Sequence, residues 1–430
     1  MSRFRRTPAS GAPRVVVVGM GFGGLATVRA LSAAALRVTL VDRDVYSTFQ
    51  PLLYQVATGG LTPSDVAYPL RGFAHKYGAR FHRGELRHVD AQARTITLAD
   101  GEELPYDYLI LATGVAAAYY GVTGADKHSF ALYTRRDAVA LRDQIMAGLE
   151  QLSAAERGRD SAITVVGGGA TGVETAGTLA ELRNIALATA FPDIDRSRVH
   201  IRLVEQAPAL LAGYVPSLRE YAHQQLLDRG IEVRLNTAIK EITADHVVLA
   251  DGETMHSDLT VWAAGVRGPD AARDWGVPLG RGGRVEVGPD LRVSGQDRIF
   301  AIGDIALTGA DPLPQLAQPA LQMGRFAAEQ VVRLVAGRPT TRFVYHDKGI
   351  LATIGRRSAV VELPYHVRIR GTLAWFAWLG LHIVTLLGNR NRISALINLA
   401  YRYLSWGRGG SVLMDSDPPE NWPPRRRGAD

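Results

Sequence analysis

Residues 15–18 are four consecutive valines that run straight into Gly19-Met20-Gly21-Phe22-Gly23-Gly24. A β-branched apolar run ending in G-x-G-x-x-G reads as a buried parallel strand turning into a helix, and it restricts the fold more than any other stretch. Gly19 allows the tight turn, Gly21 lets a pyrophosphate approach the backbone, and Gly24 lets the helix pack close on the strand. Phe22 and Gly23 open that helix, whose N-terminus offers N–H groups and a positive dipole end. The strand 37–41 then delivers Asp42 near the spacing at which an acid takes a ribose hydroxyl pair.

The whole pattern recurs. A strand at 163–166 meets Gly167-Gly168-Gly169-Ala170-Thr171-Gly172, a helix follows from Val173, and a strand at 199–204 ends in Glu205. The gap from Gly172 to Glu205 is long, with 184–198 as an insertion. Both units also close alike, Leu109-Ile110-Leu111-Ala112-Thr113-Gly114 being echoed by the stretch from Leu259 to Ala264-Gly265. Two copies place the chain in the α/β class, with two Rossmann-like dinucleotide-binding domains and two dinucleotides on one polypeptide. Glu205 would repel a ribose 2′-phosphate, so the second dinucleotide is expected to be NAD rather than NADP.

Composition removes several chemistries. The chain has 430 residues and no cysteine, which excludes a thiolate nucleophile, a redox disulfide, a self-ligated iron–sulfur cluster and a Cys-rich metal site. A net charge of +7 favours anionic partners. No reader motif or aromatic-basic interleaving points to nucleic acid. The segment 1–12 is arginine-rich, lacks the apolar core of a secretory signal, and is expected to be a disordered tail.

Between the glycine units, the stretch 46–60, containing Pro51 and Leu52, is too broken by Pro and Gly for regular structure and too apolar for an idle loop, so it is expected to line something. A third apolar strand with a glycine turn ends at Gly303-Asp304, where open α/β sheets bind ligands; an N-cap is the plainer reading of Asp304. If the second unit is inserted before this strand, the first domain is discontinuous. A helix from about Pro314 to Leu334 places Gln318 and Gln322 one turn apart on one face. Two amides there suit a carbonyl-bearing ligand, with ordinary surface glutamines as the alternative.

The last stretch changes character. Residues 373–387 carry no charge and include Trp375, Phe376 and Trp378, while Arg390, Arg392, Arg402, Arg408 and 425–427 are basic. The apolar run lies at the short edge of what spans a bilayer. The helix 392–406 is amphipathic, with Ile393, Leu396, Ile397, Ala400 and Leu404 on one face. Together they read as an interfacial anchor on an anionic lipid surface, against the alternative of a dimerisation or core-packing pair.

With these residues in view, the chain resembles the type II (single-subunit, non-proton-pumping) NADH:quinone oxidoreductases over nearly its whole length. The double-glycine frame is shared with many flavoproteins. More particular are Phe49 to Gly59 around Pro51, the paired glutamines of Ala317 to Gln322 and the aromatic tail Trp375 to His382; Tyr345-His346-Asp347-Lys348-Gly349 also carries the resemblance. The resemblance implies FAD in the first unit, held by Gly19, Gly21, Phe22, Gly23, Gly24, Asp42, Pro51, Leu52, Ala112, Thr113, Gly114, Gly303, Asp304, Ala317 and Gln318. It implies NADH in the second, held by Gly167, Gly169, Thr171, Gly172, Glu174, Glu205, Ala264 and Gly265, and a membrane quinone reaching the flavin beside Gln318 and Gln322. Glu174, in the first turn of the second glycine helix, resembles a carboxylate that places the nicotinamide and relays protons; complementing the helix dipole is its plainer reading. Lys348 resembles a cation near the flavin's electron-accepting end. No metal is implied.

These readings give a FAD-binding domain at 13–130 and 284–344, an NADH-binding domain at 131–283, and a C-terminal region at 345–430 with amphipathic membrane-anchoring helices. They place the protein peripherally on the cytoplasmic side of the inner membrane, with a homodimer as a further candidate assembly. The enzyme alternative is a soluble NADH-dependent flavoprotein reductase of a ferredoxin- or rubredoxin-type protein. A redox-sensing or membrane-bound interaction protein that keeps nucleotide for structure only is the alternative from another class.

Overall fold

The computed structural model describes residues 9, 11–154 and 160–405, side chains 402–405 excepted. The expected tail at 1–12 falls largely outside these residues, as do Leu404's side chain, Trp406, Arg408 and 425–427. The chain divides into two compact units, Met1–Thr48 with Tyr68–Ala116 and Val266–Asp347, and Phe49–Ala67 with Ala117–Gly265 and Lys348–Asp430.

The first unit is built on a five-stranded parallel sheet. Its order is Ile299–Ala301, Tyr108–Leu111, Arg14–Val18, Arg37–Asp42, Arg80–Arg83. The four valines occupy the central strand and are almost wholly buried, as a strand covered on both faces requires. The glycine-bearing helix Phe22–Leu31 packs against the helix Ala317–Val335. A Cβ on Gly324 would lie 2.3 Å from the Gly23 carbonyl oxygen, and the Thr27 hydroxyl donates to the carbonyls of both Gly23 and Gly324. The expected helix from about Pro314 thus starts at Ala317.

The second unit repeats the arrangement, in the order Phe130–Ala131, Leu259–Trp262, Ser161–Val166, Val199–Val204, Ile231–Arg234, again all parallel. In both sheets the strand before the glycine turn is central, flanked by the acid-bearing strand on one side and the closing strand on the other. The difference is at the edge. The outermost strand beyond the closing strand comes last in sequence in the first sheet and first in the second.

Two expectations need correction. The stretch 46–60 is regular in its middle: a 3-10 turn Gln50–Leu52 leads into a helix Leu53–Ala57. Pro51 presets the backbone of that turn, and the segment stops where the Thr58 hydroxyl bonds back to the Tyr54 carbonyl and Gly59 takes φ +73°. The C-terminal region is not helical throughout, because a three-stranded antiparallel sheet, Ile350–Gly355, Ser358–Leu363 and Val367–Arg370, precedes its helices Thr372–Thr385 and Asn389–Ser405.

Candidate active site

At the C-terminal end of the first sheet the glycines divide the work as their spacing requires. Gly19 has φ +94°, and a Cβ there would fall 2.3 Å from the Ala112 carbonyl oxygen and 2.7 Å from the Thr113 Cα, so the glycine turn touches the closing turn Ala112-Thr113-Gly114. A Cβ on Gly24 would lie 1.9 Å from the Gly19 oxygen. At Gly21 nothing lies within 4 Å. Two glycines are therefore demanded by the protein itself, and the middle one faces open space, which a pyrophosphate fits.

The same place gathers other expected residues. Gly23 approaches Ile302 and Ala320, and Gly303, at φ +69°, has Ala320 against it. The turn Gly303–Ile305 is thereby set on the first turn of the Ala317–Val335 helix, bringing Asp304, Ala317 and Gln318 to this end of the sheet. The residue that caps the Gly303–Ile305 turn is Ile302, not Asp304. Asp42 accepts from the Met20 N–H at 2.7 Å and the Asp44 N–H at 2.9 Å; burial pushes its carboxyl up, against the pull of those two bonds. The Thr113 hydroxyl oxygen is buried with no hydrogen-bond partner among the described residues. A buried hydroxyl without a partner beside an open glycine turn fits a polar ligand such as a flavin dinucleotide.

The second sheet presents the same construction. A Cβ on Gly167 would lie 2.6 Å from the Ala263 oxygen and one on Gly172 1.8 Å from the Gly167 oxygen, whereas Gly169 has nothing within 4 Å. Thr171 and Ala264 are exposed beside this turn. Gly265 follows at φ +153° against the Tyr120 hydroxyl. Glu205 accepts from the Gly168 N–H at 2.5 Å and the Ala207 N–H at 2.6 Å. Its carboxylate is thus held at the mouth of the glycine turn, as Asp42 is in the first unit.

Glu174 differs from its expected position. The helix runs Ala170–Glu181 and has no acid in its first turn; Glu174 lies in the second turn, 9% exposed. Complementing the helix N-terminus therefore does not explain it. The Thr353 N–H donates to Oε1 at 3.3 Å. The Trp378 indole also faces the carboxylate and pulls its pKa down, while its buried N–H closes no hydrogen bond of normal geometry. Burial dominates both contacts and pushes the Glu174 pKa up to about 8, which favours the neutral, protonated carboxyl over the carboxylate. Trp378 is in turn stacked on His382, ring centroids 4.1 Å apart, and His382 Nδ1 lies 2.7 Å from the Trp378 carbonyl oxygen. Burial holds His382 down at about 4. Tyr54 and Phe49 pack against this pair. The sequence held no local sign that Trp378, 204 positions from Glu174, would meet it; a tryptophan at helical spacing was the only signal.

The remaining expected residues take clear positions. Pro51 opens the 3-10 turn Gln50–Leu52, and Leu52 is fully buried. Lys348 is exposed just ahead of the strand Ile350–Gly355. Gln318 and Gln322 share one helix, but their amides differ. Gln322 donates from Nε2 to the His346 carbonyl at 2.9 Å and accepts the His346 N–H on Oε1 at 3.0 Å, so both ends hold backbone. Gln318 makes no such bond among the described residues.

Two parallel sheets of matching order, each with a glycine turn open at its middle glycine and an acid at its mouth, define a two-dinucleotide oxidoreductase. Residues 13–324 match the family model of the pyridine nucleotide-disulphide oxidoreductases. The chain belongs to that family and, within it, to the type II NADH:quinone oxidoreductases. Relatives of that name include NdhA of Mycobacterium tuberculosis, 36% identical over 94% of this chain and 90% of the relative, and Ndh of the same organism, 34% identical with the same coverage. A Staphylococcus aureus relative of the same name is 31% identical over 81% of this chain and 89% of its own. The solved structure of NDH2 from Plasmodium falciparum in complex with NADH superposes with a TM-score of 0.86 at 19% identity, covering 93% of this chain and 99% of that one. A likeness at that identity speaks to the fold.

Proposed function

We propose that the protein oxidises NADH and reduces a membrane quinone without pumping protons. Bound FAD supplies the electron chemistry, accepting a hydride and giving up two electrons. The chain binds, orients and manages protons. The observation that carries this reading is the pair of open glycine turns, each with its own acid, on a chain without cysteine. With no thiol available, the family's disulfide chemistry has no acceptor here, and electrons have to leave for an external partner.

On this reading the first unit holds FAD through Gly19, Gly21, Phe22, Gly23, Gly24, Asp42, the turn Ala112-Thr113-Gly114, Gly303, Asp304, Ala317 and Gln318. The second holds NADH through Gly167, Gly169, Thr171, Gly172, Glu205, Ala264 and Gly265. Strand membership supports domains at 13–130 with 284–344, 131–283 and 345–430, since the strands of each parallel sheet fall within the first two almost without exception. Glu174 accepts the Thr353 N–H on Oε1, which leaves Oε2 to keep its proton. Lys348 brings a positive charge, Gln318 offers an amide to a quinone carbonyl, and Gln322 positions the 346 backbone.

The C-terminal helices support a membrane partner. Leu373 is 74% exposed and Val384 68%, and Ile393 and Ile397 on the last helix are 59% and 60% exposed. The opposite side of the last helix is polar: Ser394 and Asn398 both donate to the buried Asp65 carboxylate, and Asn391 to the Ala67 carbonyl. An amphipathic helix that turns its polar side to the protein and its apolar side outward needs an apolar partner. Among the described residues no helix is long and apolar enough to cross a membrane, so the proposed attachment is peripheral, on the cytoplasmic face of the inner membrane. The exposed Arg390 and Arg370 nearby in sequence favour anionic lipid over a second copy of the chain.

The test is FAD content and quinone-dependent NADH oxidation in the purified protein. The reading predicts a flavin-bearing protein whose NADH consumption requires added quinone. A flavin-loaded protein that leaves NADH untouched overturns it.

A further inference from the structure

Away from both glycine turns, a cavity of about 340 Å³ is lined by Glu181, Asn184, Ile185, Arg229, Arg356 and Arg357. Its walls come from three places in the second unit. The glycine-bearing helix ends at Glu181 and passes into a π-helical turn, Leu182–Ala186, which presents Asn184 and Ile185; such turns often mark functional sites. Arg229 follows the helix Pro216–Leu227. Arg356 and Arg357 form the tip of the hairpin joining Ile350–Gly355 to Ser358–Leu363.

The one carboxylate of this lining is turned to the protein. Glu181 is 7% exposed and accepts the Arg356 backbone N–H, and it lies with Arg229 around Gly355, within 2.8 Å and 3.0 Å of where a Cβ would stand. Arg229 is also fixed, donating from Nη1 to the carbonyl and the side-chain oxygen of Gln225. Three arginines against one carboxylate leave the cavity positive. The Arg357 guanidinium makes no hydrogen bond or ion pair among the described residues, and its residue is exposed and sits in the left-handed region at φ +59°.

The cavity adjoins the apolar helix. The Thr372 hydroxyl, on the first residue of the helix Thr372–Thr385, donates to the Arg357 carbonyl at 3.3 Å, and the Gly371 N–H bonds to the Ala359 carbonyl. The helix that carries the exposed Leu373 and Phe376 in its first two turns therefore begins beside the arginine-bearing hairpin tip. We propose that this cavity is a seat for the phosphate of an anionic phospholipid, held by Arg356 and Arg357, with the acyl chains along Leu373 and Phe376. Guanidinium groups match phosphate oxygens in pairs, and a free phosphate has no use for the adjoining apolar face. The inference rests on the proposed membrane attachment of the C-terminal helices and adds a specific headgroup to it.

The test compares binding of the flavin-loaded protein to vesicles of phosphatidylcholine alone and of phosphatidylcholine with phosphatidylglycerol. Arg356→Gln with Arg357→Asn removes the seat, asparagine being at ease in the left-handed turn. Arg368→Gln with Arg370→Gln removes the same charge from exposed positions on the neighbouring strand that do not line the cavity. The first pair is expected to lose roughly thirtyfold in binding to the phosphatidylglycerol vesicles, from about fivefold per arginine, and the second pair distinctly less. Equal losses in the two variants mean diffuse attraction and overturn the seat. Binding of inorganic phosphate by the wild type without vesicles, lost in the first pair, with no preference between the vesicles, reassigns the cavity to free phosphate and overturns the lipid. A wild type bound to neither vesicle refutes the membrane attachment itself, whereas one bound equally to both refutes only the headgroup seat.

Discussion

Replacing Glu174 with glutamine tests the buried carboxyl directly. In the folded chain burial pushes its pKa up to about 8, whereas in the unfolded chain it titrates near 4.5. Between those values the unfolded state has released a proton that the folded state keeps, so this group's contribution to stability is complete below about pH 4.5. It then falls as pH rises, at about 1.4 kcal/mol per pH unit, and is lost above about pH 8. The whole change is on the order of 5 kcal/mol. Glu174→Gln keeps the shape and the acceptor for the Thr353 N–H while removing the titration. Denaturation of the flavin-loaded wild type and variant from about pH 5 to about pH 9 should show the wild type losing ground to the variant as pH rises. A constant gap between the two curves would mean that Glu174 is charged in the folded protein, and the assignment of a proton to its Oε2 would fall.

Other consequences follow from the same geometry. Gly21→Ala meets only open space and should fold normally but lose FAD, while Gly24→Ala, whose Cβ falls 1.9 Å from the Gly19 oxygen, should lose roughly 1–3 kcal/mol of stability or more; flavin content and melting temperature separate the two. Glu205→Gln should narrow the preference for NADH over NADPH in steady-state rates, and an unchanged preference removes Glu205 from that role. Gln318→Leu should slow turnover with quinone and leave flavin bleaching by NADH intact, whereas Gln322→Leu should also lower stability by roughly 1–2 kcal/mol, because it strips two bonds from the His346 backbone.

The nucleotide turns were legible in the sequence because their requirements are local: a valine strand followed by missing Cβ atoms at fixed spacing is what a tight strand-to-helix turn around a pyrophosphate demands. The acids Asp42 and Glu205 were legible for the same reason, Asp42 ending its strand and Glu205 directly following its own. What surrounds Glu174 was not, since Thr353 and Trp378 reach it, and His382 reaches Trp378, only through packing of a hairpin and a helix from the far end of the chain. Gln322 illustrates the limit from the other side. Helical spacing put it level with Gln318, but only the His346 backbone shows that its amide is already occupied. The hairpin Ile350–Leu363 was hidden because two arginines at its tip interrupt the apolar pattern, and those same arginines line the basic cavity beside the apolar helix.

The central claim is that electrons enter from NADH and leave to a quinone through a flavin held by this chain. It is tested most directly by mixing the purified protein anaerobically with NADH and then with a quinone while following flavin absorbance. Bleaching by NADH, weaker bleaching by NADPH, and recovery of the colour on quinone addition are the predicted results. A protein that stays colourless after FAD is supplied, or whose flavin ignores NADH, would contradict the account.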